Sequence, residues 1–155
     1  MYLWVVKIEE AIQQEVFTDL RSKAGINILY TASWLVNHFS RILKPYGISW
    51  QQFNILRILR GQKDKPASLR LVSERMIDQM SNTSRLIDKL VAKGLVERRE
   101  CPKDRRQVDL LLTQQGEEVV EHARKAVDSR MQQHLAHMDE KSLGQLSDLL
   151  DAYRA

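Results

Sequence analysis

Residues 84–113 read SRLIDKLVAKGLVERRECPKDRRQVDLLLT, and their order decides the architecture. The opening follows a helical period. Thr83, just ahead of it, joins Leu86, Ile87, Leu90 and Val91 on an inward face, while Ser81, Asn82, Ser84, Arg85 and Lys89 face out. Gly94 supplies the left-handed residue on which such a helix ends. The period then changes to two. Val96 and Arg98 alternate with Glu97, and Val108, Leu110 and Leu112 alternate with Asp109 and Leu111. The eight residues from Arg99 to Arg106 join these strands, with Pro102 in the turn, so the stretch predicts a helix followed by a β-hairpin.

Upstream, Ser49-Trp50-Gln51-Gln52 reads as a capping box, with Ser49 as the cap and Gln52 at the third helical position. The helix it opens carries Phe53, Leu56 and Leu59 inward and Arg57 and Arg60 outward, and Gly61 stops it. Ser68 caps a short helix over about 69–76, and Asp78 or Ser81 caps the helix after it. A long amphipathic helix covers about 26–43, with Ile28, Leu35, Phe39 and Leu43 on its broad apolar face, and Pro45 and Gly47 end it. A shorter helix covers about 7–17, and a polar break at 23–25 separates the two. Downstream, one helix covers 114–135 and a last one about 142–153, the latter with Leu143, Leu146, Leu149, Leu150 and Tyr153. The middle of the chain is therefore helix, short helix, helix, hairpin: a winged helix-turn-helix. The expected fold class is mainly α with a small β-hairpin wing.

A chain of 155 residues, 43% hydrophobic and 28% charged, is one domain or one domain with helical extensions. Its one cysteine, Cys101, excludes an internal disulfide framework and a cysteine-rich zinc site. MYLWVV at the start is too short for a membrane span and has the wrong flank for a signal peptide, so no membrane association is expected and a cytoplasmic location is. The net charge of +4 is unevenly spread: −1 over residues 1–40, +8 over 41–113 and −3 over 114–155. A basic centre between mildly acidic ends points to a polyanionic partner. His122, His134 and His137 share a solvated helix with no carboxylate or cysteine at metal spacing, and no catalytic constellation is present. Neither metal, cofactor nor enzymatic activity is expected.

The residue types of the helix over about 81–93 suit a DNA groove. Short polar side chains at its N-terminal end admit close approach, and the helix terminus attracts phosphate. Arg85 reaches a guanine edge and Asn82 an adenine edge. Ser81, Thr83 and Ser84 bond phosphate oxygens, which position without specifying, and Lys89 adds charge to the same outward face. Asp88 is assigned to the protein itself, as a partner for Arg85 or Lys89. The hairpin is too narrow to fill a major groove, but one arginine at its tip fits the minor groove. Arg98, Arg99, Lys103 and Arg105 act on phosphates.

SRLIDKLVAKGLVERR resembles the recognition helix and first wing strand of the MarR family of bacterial transcriptional regulators. DRRQVDLLLTQQG resembles the family's wing signature: Asp104, Arg106 two positions later, then Leu112 and Thr113. Leu110 stands where the family usually has valine, and Val72-Ser73 where it usually has Leu-Ala. The resemblance covers about 49–116. It implies that Arg106 enters the minor groove and that Asp104 orients it. It implies a homodimer built by terminal helices, residues 7–45 and 114–155, around a DNA-binding region at 49–113. It further implies a small-molecule or oxidant signal that releases double-stranded DNA, and repression as the more usual role. Trp34, Phe39, Trp50 and Phe53 are candidates to line an effector pocket, with core packing as their ordinary alternative. Two other classes stay open: a winged-helix adaptor that binds protein, and a redox switch through Cys101.

Overall fold

The computed structural model describes residues 6–14, 16–63, 65–101 and 104–155; for 101 and 104–107 the backbone alone is described. Contacts divide the chain into two compact units, Met1–Arg41 and Ile42–Ala155.

The first unit holds helix α1 (Ile8–Ile12) and most of α2 (Leu20–Leu43). Helix α1 is shorter than its apolar spacing predicts, because Gln13 turns left-handed at φ 55°. The predicted break at 23–25 is absent, and Gly25 lies inside α2. The start signal is Asp19, whose carboxylate accepts from the Ser22 N–H at 3.2 Å. A mid-helix glycine costs about 1 kcal/mol, which a helix of 24 residues absorbs. Lys23 pairs with Glu9, and Trp34 stacks on His38 with ring centroids 4.9 Å apart.

The second unit begins with the end of α2 and a 3-10 turn, Lys44–Tyr46, closed by Gly47 at φ 67°. Helix α3 (Trp50–Arg60) opens with the expected capping box: Ser49 accepts from Gln52 N–H, and Gln52 reaches back to Ser49 N–H. Phe53, Leu56 and Leu59 are buried as expected, and Ile55 joins them. Strand β1 (Ala67–Ser68) leads straight into α4 (Leu69–Arg75), which Ser68 caps. Helix α5 (Thr83–Ala92) precedes strands β2 (Val96–Cys101) and β3 (Asp104–Leu112), followed by α6 (Gln114–Leu135) and α7 (Glu140–Tyr153).

Two expectations for the wing are corrected. The sheet has three antiparallel strands in the order β1-β3-β2, with Ala67 opposite Leu110 and Ser68 opposite Asp109. The strands also run further than expected: Arg99 to Cys101 and Asp104 to Arg106 are in β2 and β3, not in an eight-residue loop. Pairing runs from Val96–Leu112 to Glu100–Val108 and resumes, after an irregularity, at Cys101–Asp104. Backbone ladder bonds outweigh the polar composition that reads as loop.

One junction ties the helix to the wing. Gly94, at φ 69°, donates to Val91 C=O at 2.9 Å, and Leu95 donates to Leu90 C=O at 3.0 Å. This pair of bonds is a Schellman ending. Thr113 then donates its hydroxyl to Gly94 C=O at 2.7 Å and accepts from Gly116 N–H at 2.9 Å, capping α6. Gly116 is required here, since a Cβ would stand 2.0 Å from the Leu95 carbonyl oxygen. Between α3 and α6, Arg60 bridges Glu117 at 2.7 Å and also pairs with Glu121. Lys125 and Arg124 each meet Glu121 at 3.2 Å.

Candidate nucleic-acid interface

Helix α5 is strongly two-faced. Ile87 and Leu90 are fully buried, and Leu86 and Val91 are half-buried beside them. Asn82, Ser84, Arg85 and Lys89 are exposed on the other side, and Ser81 is half-buried at its start. The cap is Asn82, not Asp78 or Ser81: its side-chain oxygen accepts from Arg85 N–H at 3.1 Å. Asp78 organises the turn before it, accepting from Met80 N–H at 3.1 Å and from the Ser81 hydroxyl at 2.7 Å. Capping uses one lone pair of the Asn82 oxygen and leaves its amide donors for a partner. Gln51, Ser81, Asn82, Arg85, Leu86 and Lys89 line an open groove of about 350 Å³. Gln51 is the member that periodicity does not find, because it comes from α3 rather than α5.

Two expectations fail in this region. Thr83 is only 7% exposed, with its hydroxyl 3.5 Å from Ser81 C=O, so it belongs to the packed face and not to a phosphate contact. Asp88 pairs with neither Arg85 nor Lys89. It accepts from Arg98 at 2.5 Å, linking α5 to the first wing strand. Helical spacing brings i, i+3 neighbours to mind, but the strand after Gly94 folds back alongside and offers a nearer guanidinium. Both partners keep substantial exposure, 39% for Arg98 and 55% for Asp88, so water screens the pair. Arg99 pairs with Glu97 on its own strand. Among the described residues, Arg85 has no carboxylate partner.

At the wing tip, Lys103 lies outside the described residues, and so do the side chains of Cys101, Asp104, Arg105 and Arg106. Register sets the backbone of Asp104 opposite Cys101. Of the four aromatic candidates, Trp34 and Phe39 stand on α2 in the first unit, and Trp50 and Phe53 on α3 in the second. Phe53 is a core residue, 1% exposed, with the Trp50 ring 5.9 Å away and the Arg57 guanidinium 5.8 Å from its centroid. Among the described residues, no three His, Cys, Asp or Glu side chains gather at a metal site, and no helix is long and apolar enough to cross a membrane.

With this geometry established, comparison with known proteins gives a consistent result. Residues 48–108 match the MarR family model. The transcriptional repressor MprA of Escherichia coli K12 is 31% identical over 90 residues, which are 58% of this chain and 51% of MprA. The chain thus spans about half the length of the curated relatives it matches. Among solved structures, wild-type MarR of Escherichia coli superposes with a TM-score of 0.68 at 24% identity, over 83% of this chain and 93% of that one. CouR of Rhodococcus jostii RHA1, bound to p-coumaroyl-CoA, superposes with a TM-score of 0.72 at 21% identity, over 88% and 94%. At these identities the two structures speak to the fold.

Proposed function

We propose that this chain, whose residues 48–108 match the MarR family model, is a DNA-binding transcription regulator of that family rather than an enzyme. The observation that carries this reading is the exposed row of Asn82, Ser84, Arg85 and Lys89 on α5, backed by a buried face and flanked by a basic wing. Helix α5 enters the major groove, where Arg85 reads a base edge. Ser81 and Ser84 bond phosphates with Arg98 and Arg99. The wing tip, with Lys103, Asp104, Arg105 and Arg106, follows the adjacent minor groove, and Asp104 orients Arg106. One such domain reads few base pairs, so the active species is a homodimer on two half-sites. Residues 7–45 and 114–155 build that dimer, and residues 49–113 meet the DNA. The protein works in the cytoplasm, where the DNA is.

The name of MprA, a transcriptional repressor, supports repression. The p-coumaroyl-CoA bound by CouR supports release by a small molecule. The test is a duplex titration over a range of salt with the wild-type chain and Arg85→Ala. Removing Arg85 costs about 1–3 kcal/mol and relaxes preference at particular base pairs. Equal losses on every sequence would show that Arg85 adds charge and reads nothing.

A further inference from the structure

Helix α3 reaches the proposed DNA-facing groove through Gln51, and it also carries two of the three buried polar side chains among the described residues. Gln52 is 3% exposed and Asn54 is 7% exposed. Each is committed to the helix-turn-helix unit. The Asn54 side-chain oxygen accepts from Ile77 N–H at 2.9 Å, in the turn that leads to α5. The Gln52 side-chain oxygen, which already accepts from Ser49 N–H at 3.1 Å, also accepts from the Lys93 ammonium at 3.1 Å. That ammonium donates again to Gly47 C=O at 2.5 Å. Lys93 is the C-terminal cap residue of α5.

We infer that Gln52, Asn54 and Lys93 form a polar clamp by which α3 fixes the turn before the recognition helix and that helix's C-terminal end, making them positioning residues for DNA reading. The inference rests on the reading of α5 as the helix that meets DNA. Its physical basis is the difference between two kinds of contact. Burial of Phe53, Leu56, Ile87 and Leu90 holds the helices together, but it is non-directional and tolerates sliding. A hydrogen bond is directional, and Gln52 and Asn54 are buried although Lys93 is exposed, so a lost partner leaves a buried acceptor unsatisfied. Bonds at the turn and at Lys93 therefore set where along α3 the helix sits. They also join α5 to Gly47, directly after the 3-10 turn that ends the long second helix. A shift in that turn moves the carbonyl that holds Lys93.

The test uses Lys93→Met, which keeps the stem and removes the donors, Lys93→Arg, which restores them, and Asn54→Ala. Amide hydrogen exchange reads the clamp without DNA. Faster exchange at Ile77 and along 83–93 in Lys93→Met and Asn54→Ala, at unchanged helical content, is expected, with protection recovered in Lys93→Arg. Unchanged protection in both loss variants would overturn the clamp, whether or not the protein binds DNA. The second arm titrates the duplex that the wild-type chain enriches from a randomised pool, against a shuffled duplex. The ratio of the two affinities should fall about tenfold in Lys93→Met, with the salt dependence unaltered, and return in Lys93→Arg. Equal weakening on both duplexes, with a salt slope smaller by about one per subunit, would make Lys93 a phosphate contact and overturn the positioning role. Faster exchange in a protein whose wild type enriches no duplex would leave the clamp standing and remove the DNA reading.

Discussion

At the scale of residues, the interface is a question of where each charge is held. Two acids sit among the cations, and opposite consequences are expected of them. Asp88 holds Arg98 against α5, so Asp88→Ala frees a guanidinium and removes a negative charge. Unrelated duplexes should bind more tightly, with a salt dependence steeper by about one unit per subunit. Asp104 is proposed to orient Arg106 in the minor groove. Asp104→Ala should therefore weaken binding, in the same direction as Arg106→Ala, although simple electrostatics predicts a gain. Titration of both variants on one duplex checks the pair. Tighter binding by Asp104→Ala would reduce the wing tip to a charged surface. Sequence reading placed Ser84, Arg85 and Lys89 correctly on the exposed face of α5, because one helix's period governs them. It also placed Thr83 on the inward face, where it is buried, but gave it a phosphate contact that this burial opposes. It missed the partner of Asp88, which is answered by a strand ten residues away.

At the scale of elements, caps and period breaks were the readable features. The Ser49 capping box, the Ser68 cap and the Gly94 ending all stand where the sequence puts them. Strand β1 was not legible: two residues have no period, and Ser68 serves both as strand and as cap. The break at 23–25 was read from Gly25, while the true start lay with Asp19. The α3–α6 join was invisible for another reason, since Arg60 and Glu121 are far apart in sequence. That join yields a prediction with a definite sign. Hydrogen bonds from Arg124, then Lys125 and Arg60, lower the Glu121 carboxyl from its usual 4.5 to about 2. A carboxylate depressed on folding stabilises the fold above its unfolded pKa and loses that contribution as pH falls towards the folded value. Chemical denaturation should find Glu121→Gln less stable than wild type at neutral pH. The difference should close as pH falls from 4.5 towards 2. A difference that stays constant across that window would assign the loss to packing.

At the scale of the whole molecule, the proposed dimer accounts for apolar surface that the described chain leaves open. None of the residues of α7 is buried, and Leu146, Leu149 and Tyr153 are exposed on it. On α2, Leu29 and Val36 are exposed as well. Deleting residues from Lys141 onward should weaken both self-association and DNA binding, as followed by sedimentation at micromolar concentration and by duplex titration. A truncated chain that remains dimeric would move the interface elsewhere. The central claim is that two copies of α5 read two half-sites at once. The most direct measurement is a protection footprint on the duplex that the wild-type chain enriches from a randomised pool. The account predicts two protected, inverted half-sites about 34 Å apart, one turn of the helix, both lost together in Arg85→Ala. Protection of a single site, or uniform coverage that depends on salt and not on sequence, would contradict it.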